Sequence, residues 1–252
     1  MNIQSVQRAT DIISLFCKAP GQLGITEIAT ALNLNKGTVW GLVTTLEQAR
    51  YLQQDTATRK YRVGPKLFEL GTVYVGGLEI NTKGARPAQS LADRTKLNAR
   101  IGVWDQGTVL ITFLAVPRSE DYISHQIGPR VPAYCSAIGK ALLANLEPSK
   151  LKEYLREIDL VRHTCATITS REKLRSELET TRERGYSISR EEMIPGLAAL
   201  GAPIFGRGRE VVGAISISEA PRIVLGKRLE RLSYELTCTA AEISREMGYS
   251  IV

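Results

Sequence analysis

Two histidines, four cysteines and 6% aromatic residues are thin resources for a chain of 252 residues, and each scarcity closes a class of function. The cysteines, Cys17, Cys135, Cys165 and Cys238, are scattered with no C-x-x-C pair, which argues against a disulfide framework and a zinc ribbon. His125 and His163 lie outside any nucleophile or metal pattern, and His163 with Cys165 makes only an isolated H-x-C. No G-x-S-x-G, P-loop or dinucleotide fingerprint occurs. No catalytic residue, metal ligand or cofactor is therefore assigned. The longest uncharged stretch, Met193–Gly206, contains two prolines and falls short of the ~18 apolar residues of a membrane span. The early apolar run Ile12–Phe16 has only Arg8 as a basic residue before it and no small-residue cleavage site after it, so it reads as helix core and not as a signal peptide. Together these absences predict a cytoplasmic protein that neither enters a membrane nor carries out catalysis.

What is present suits two compact domains. Hydrophobic residues make up 43% and charged residues 23%, which excludes wholesale disorder. The formal net charge is +7; residues 1–70 hold eight basic against five acidic side chains. A modest basic excess permits a polyanionic partner without requiring one.

The hydrophobic pattern changes character near residue 80. Val6, Ala9, Ile12, Ile13 and Phe16 recur at helical spacing until Pro20-Gly21. Thr26 is placed to cap a second short helix and Asn35 a third, with Asn33-Leu34 as the turn between them. In the third helix Val39, Leu42, Val43 and Leu46 form the apolar face, and Lys36, Gly37, Trp40, Gly41, Thr44 and Gln48 the opposite one. Residues 51–54 and 60–63 alternate like two strands around Asp55-Thr56-Ala57-Thr58. Three helices and a hairpin describe a winged helix-turn-helix, residues 1–65. Residues 66–80 read as a linker helix with apolar side chains almost all round, ending or kinking at Gly76-Gly77. From residue 81 to 252, strands are expected at 99–104, 108–116, 122–127, 186–189, 199–205 and 211–218. Helices are expected at 83–96, 136–146, 148–157, 170–185 and, as one long final element, 224–247. Hairpin-linked strands with peripheral helices make an α+β domain on an antiparallel sheet.

The third helix suits a DNA major groove because its outer face is uncrowded. Gly37 and Gly41 permit close backbone approach, while Lys36, Thr38 and Thr44 offer hydrogen bonds to phosphates or base edges. Arg59, Lys60 and Arg62 give the wing a cationic tip. Arg8, Thr26 and Asn35 complete the candidate DNA-facing set. Arg8 is equally well read as a solvated helix residue. For Trp40 three readings stay open: DNA contact, packing on the wing, or a domain interface.

The runs Ser5-Val6-Gln7-Arg8-Ala9, Ile25-Thr26-Glu27-Ile28-Ala29, Asn35-Lys36-Gly37-Thr38-Val39 and Lys60-Tyr61-Arg62-Val63-Gly64 together resemble the DNA-binding domain of the IclR family of bacterial transcription regulators. The second half agrees in order. Residues 135–144, Arg184-Gly185-Tyr186, Glu191-Glu192, Gly196-Leu197, Ala202-Pro203 and 212–218 are similar to that family's effector domain. One departure is Gly41, where the family usually carries an arginine; either that phosphate contact is lost here or Lys36 supplies it.

The resemblance implies a GAF/PAS-like effector domain cupping a small molecule, typically an organic acid, and a homodimer or tetramer on a roughly palindromic double-stranded operator. By position it places the pocket at Cys135, Ser136, Ala137 and Ile138, with Ser189, Leu197, Ala199, Ser216 and Ser218. Ser136 as an N-cap would leave the Ala137 and Ile138 amides facing outward as an anion site; equally, Ser136 is only a cap. Ser216 and Ser218, two apart on one strand, share a face, either cup or solvent. In related regulators an acidic residue and a cysteine can stand where this chain has Ser189 and Ala199, which implies a different effector. Arg190 is a further candidate partner for a ligand carboxylate. The competing reading makes Cys135, at a helix N-terminus, the low-pKa thiol of a redox sensor or thiol enzyme. Whether such a regulator represses or activates is left open by the residues.

Overall fold

The structure is a computed structural model and describes residues 2–18, 21–118, 128 and 130–250. The strand expected at residues 122–127, and His125 with it, lie outside the described residues. The chain divides into two units, Met1–Gly77 and Leu78–Val252.

In the first unit, α1 (Gln4–Lys18), α2 (Ile25–Leu32) and α3 (Lys36–Gln48) precede the antiparallel pair β1 (Leu52–Gln54) and β2 (Tyr61–Val63). Ile12, Phe16, Ile28, Val39, Val43, Leu46, Leu52 and Tyr61 form its core, so each element contributes at least one fully enclosed side chain. Between α2 and α3 the chain turns through Asn33 in the left-handed region (φ 52°), a conformation asparagine tolerates. Asn35 then caps α3, its Oδ1 accepting from the Thr38 amide at 2.7 Å. The cap of α2 differs from the expectation. Thr26 lies inside the helix with an exposed side chain, and Gly24 is the N-cap. Glu27 decides this: its carboxylate reaches back to the Gly24 N–H, the half of a capping box that needs no side chain on the cap residue. The wing turn is organised by Asp55, whose Oδ1 accepts from the amides of Ala57 (3.0 Å) and Thr58 (2.8 Å). Next comes α4 (Pro65–Gly77), which stops at the glycine pair as expected and has no buried residue.

The second unit is an α+β layered domain. Its six-stranded antiparallel sheet has the order β5-β4-β3-β8-β7-β6, built from β3 (Asn98–Asp105), β4 (Thr108–Ala115), β5 (Arg130–Pro132), β6 (Ser187–Arg190), β7 (Ala198–Phe205) and β8 (Val211–Glu219). One face carries Ala99, Ile101, Leu200, Ala202, Ile215 and Ile217 against α5 (Glu79–Thr95) and α10 (Leu229–Glu246). Asn81 and Thr112 pin α5 to this face reciprocally: the Thr112 hydroxyl donates to Asn81 Oδ1 (2.8 Å) and the Asn81 amide donates to Thr112 O (3.2 Å). The opposite face meets α6 (Ala137–Leu143), with α7 (Pro148–Glu157) and α8 (Arg171–Arg184) outside it. The expected single helix 224–247 is instead α9 (Pro221–Val224) and α10. They are separated at Gly226, where a Cβ would lie 2.4 Å from the Arg222 carbonyl oxygen. The apolar stripe continues through the break, which is why periodicity alone did not reveal it.

Candidate functional site

The outer face of α3 is bare. Lys36, Gly37, Trp40, Gly41 and Gln48 are exposed, and Thr38 and Thr44 half-exposed. A Cβ at Gly41 would meet nothing within 4 Å, so no contact inside the unit requires glycine there. A helix-interior glycine costs roughly 1 kcal/mol relative to alanine. Its use at an open position fits a backbone that something outside the chain must approach. Trp40, 60% exposed, lines a groove together with Thr44, Arg59 and Lys60, between recognition helix and wing. That groove places Trp40 beside the wing while leaving its ring on the open surface.

Several expected contacts prove occupied. The Asn35 side chain is used as the α3 cap and is not available to read a base. Lys60 Nζ pairs with Glu27 Oε1 at 2.8 Å, so the wing's cation is already partly neutralised. Hydrogen bonding from Lys60 and from the Gly24 N–H holds the Glu27 carboxyl below the ordinary range. Arg62 donates to the Gln53 side chain at 3.2 Å. Arg59 is exposed at the wing tip, in the left-handed region (φ 58°). Arg8 is half-buried in α1 and makes no ion pair among the described residues. Lys36 and Arg59 are thus the cations best placed for phosphate.

In the second unit the predicted pocket residues do converge. Because Ile215 and Ile217 face α5 and α10, Ser216 and Ser218 face the other way, toward the α6 layer. Strand register sets Ser189, Ala199 and Ser218 side by side in one row, and Ser187, Gly201, Ser216 and Arg100 in the next. The first turn of α6 sits on these rows: the Ser189 hydroxyl donates to Cys135 O (3.0 Å) and the Ser187 hydroxyl to Ala137 O (2.5 Å). Gly201 makes this seat possible, since a Cβ there would lie 2.5 Å from Ala137 O. Leu197, half-buried, precedes β7 on the same alternation as Ala199. The result is a sheet face of small side chains on which the start of α6 rests; this face is called the cup below.

The same face bears on three of the expected residues. The Ser136 hydroxyl is fully employed, donating to Pro132 O (2.7 Å) and accepting from the Gly139 amide (3.2 Å), so it serves as a cap. Ile138 packs its side chain into the core beside Val109 and Gly102, leaving only its backbone toward the cup. Arg190 is exposed at the end of β6, on the opposite alternation from Ser189, and does not enter the cup.

The thiol reading fails on electrostatics. Cys135 is fully buried, and burial pushes its thiol up to about 11, with Glu192 adding to the rise. A helix end lowers a thiol only where solvent or a cation supports the thiolate. His163 is exposed, with Nε2 2.9 Å from the Tyr134 hydroxyl. Among the described residues no cluster of His, Cys, Asp or Glu is arranged to hold a metal.

Two residues near the cup were not singled out from the sequence. Lys140, 1% exposed, is clamped to Glu192 Oε1 at 2.6 Å and to Glu177 Oε1 at 3.4 Å beneath α6. Burial raises the Glu192 carboxyl despite that ammonium. The second is Arg100, whose Nη1 donates to Ser218 Oγ at 2.8 Å. Its signal was a lone charge amid the apolar strand Ala99–Val103.

A bare, notched third helix beside a wing, in one chain with an antiparallel-sheet domain, is the architecture of a helix-turn-helix DNA-binding regulator. The comparisons agree along the whole chain. Residues 5–56 match the model of the IclR helix-turn-helix domain, and residues 72–245 that of the bacterial transcriptional regulator IclR C-terminal domain. The HTH-type transcriptional regulator XynR of Escherichia coli is 32% identical over 247 residues, covering 98% of each chain. The crystal structure of an IclR transcriptional regulator from Alicyclobacillus acidocaldarius superposes with a TM-score of 0.86 at 27% identity, covering 98% of this chain and 100% of that one. An IclR homolog from Microbacterium hydrocarbonoxydans, complexed with 4-hydroxybenzoate, shares the fold with a TM-score of 0.83 at 20% identity, covering 98% and 100%. This chain belongs to the IclR family: it is a transcriptional regulator with an N-terminal helix-turn-helix and an effector-binding C-terminal domain.

Proposed function

We propose that the protein acts as a cytoplasmic homodimer, able to pair into a tetramer, that reads a roughly palindromic operator with α3 and the wing. A small organic acid in the cup shifts operator affinity; the cup senses this acid and does not turn it over. The observation that carries the DNA reading is the outer face of α3, where Lys36 is exposed and Gly41 opens onto empty space. Half-sites about 34 Å apart, one helical turn, would match two such helices. The dimer reading is supported by α4, which exposes Phe68 and Val73 by 76% and 72%. Apolar side chains so uncovered on a thirteen-residue helix suit a second copy of the same helix. Linkage is the proposed mechanism: an acid that binds two arrangements of the paired chains unequally shifts their populations, and with them the spacing of the reading helices. A dimer seated across a promoter blocks it, so repression is the proposed mode. An acid-binding cup is supported by the related regulator crystallised with 4-hydroxybenzoate.

Gel-shift titration against fragments of the protein's own promoter tests this reading. Retention at low ionic strength that falls steeply with salt, and is altered by one of a set of carboxylates, is expected. Indifference to those fragments at low salt would overturn it. Phe68→Glu with Val73→Glu should convert the dimer to monomer in sedimentation and abolish operator binding with it.

A further inference from the structure

Resting on the reading of the cup as an effector site, one of its residues carries a sharper statement. Arg100 lies in the middle of β3, opposite Ser216 of β8. Its strand neighbours Ala99 and Ile101 are buried against the α5 and α10 side, so its own side chain projects over the cup floor of Ala199, Gly201, Ser216 and Ser218. There it is half-buried, and that burial draws its pKa down. A guanidinium carries five N–H donors in a planar fork and stays charged. Among the described residues Arg100 makes one side-chain hydrogen bond, to the Ser218 hydroxyl, and no carboxylate stands within ion-pair distance. Other arginines of the unit find a carboxylate or backbone carbonyls. Arg184 pairs with Glu177, Arg171 donates to the carbonyls of Leu155 and Ile158, and Arg182 to that of Ala144. The Ser216 hydroxyl beside it makes no hydrogen bond among the described residues.

We propose that Arg100 is the anchor for the effector: its guanidinium receives the ligand's carboxylate in a forked pair, Ser218 holds the fork in place, and Ser216 donates to the same anion. A half-buried cation with donors to spare favours an anion over any neutral ligand of the same shape, since charge-assisted bonds are the strong ones and low dielectric strengthens them. The cup is therefore selective for a carboxylate against its amide.

Full-length protein is titrated by thermal shift and calorimetry with acetate, pyruvate, benzoate and 4-hydroxybenzoate, each beside its primary amide. At least one acid is expected to raise the Tm while its amide does not. Arg100→Gln should weaken that acid roughly 10- to 100-fold, the loss of a hydrogen-bonded charge pair, and Arg100→Lys should restore part of it. Without ligand, Arg100→Gln should melt at or above the wild-type Tm, because it removes a half-buried charge that lacks a counter-ion; an arginine serving the fold would melt lower. Equal acid binding by wild type and Arg100→Gln overturns Arg100's role while leaving the cup as effector site. Equal binding of acid and amide overturns the selectivity. A panel in which no acid binds removes the carboxylate reading and the anchor together. Should Arg100→Gln fail to fold, Arg100→Lys decides through the same acid-to-amide ratio.

Discussion

The outer face of α3 and the first turn of α6 are the two places proposed to meet something that is not protein, yet they are built in opposite ways. On α3 the protein leaves its groups free: Lys36 is exposed, and the space over Gly41 is empty. At α6 the local groups are engaged by the fold. Ser136 is bonded twice, and the carbonyls of Cys135 and Ala137 are held by serines of β6. A convex reader of duplex DNA must arrive unencumbered. A concave receptor must first be made rigid, so the fold uses most of its polar groups to set the walls and reserves few for the ligand.

The largest expected effect attacks the rigid side of this contrast. Lys140 and Glu192 are both almost completely buried, and removing one partner of such a pair typically costs about 3–5 kcal/mol because the other charge is stranded. Lys140→Met should therefore lower stability in urea titration by that order, while Lys36→Met, on the free side, should leave stability within about 0.5 kcal/mol. The loss should depend on pH. Glu192 already sits above the ordinary carboxyl range through burial, and without its ammonium it sits higher still. A carboxyl whose folded-state pKa is raised favours folding when protonated and loses that advantage as pH rises through the raised value. The deficit of Lys140→Met should thus be small near pH 4 and grow toward neutrality. A pH-independent deficit would show that lost packing, and not a stranded carboxylate, is responsible.

A smaller effect separates stability from recognition on α3. Gly41→Ala adds a methyl group into empty space and should stabilise the first unit by up to about 1 kcal/mol through helix propensity. If the groove wall of the operator approaches that backbone, the same substitution weakens operator binding. Denaturation and gel shift should then move in opposite directions. A variant that is both more stable and fully competent for DNA would show that the notch is not used.

How far each region could be read from residues alone follows the same division. The recognition helix is local: capping, apolar face and open face all lie within Asn35–Gln48, so spacing sufficed. The cup is non-local, since its rows join β3, β6, β7 and β8. The seat of α6 on Gly201 and the burial of Cys135 exist only once those strands pair. Pocket positions therefore came from family resemblance, and Arg100, which has no place in the quoted motifs, was passed over. The α2 cap was misplaced because Thr26 is a better cap by type than Gly24, and the deciding partner was Glu27, three residues on. The break in the last helix was hidden for the converse reason, a continuous apolar stripe running across Gly226.

The smallest effect lies in the wing, where the free surface borders an engaged one. Glu27 and Asp55 both have carboxyls held below their ordinary ranges, Glu27 by Lys60 and the Gly24 N–H, Asp55 by the Thr58 amide, Gln22 and the Thr58 hydroxyl. A depressed folded-state pKa gives stability that is complete above the unfolded value and is lost as pH falls through the folded one. The wing turn and the start of α2 should consequently loosen only below the ordinary carboxyl range, with amide exchange at Thr58 and Gly24 rising ahead of exchange in the α3 core. The Glu27–Lys60 pair is open to solvent, so added salt should shrink the Lys60 contribution. Glu27→Gln should remove the acid response at Gly24 and at the same time release Lys60, steepening the salt dependence of operator binding. An unchanged salt slope would mean that releasing Lys60 adds no phosphate contact to the complex.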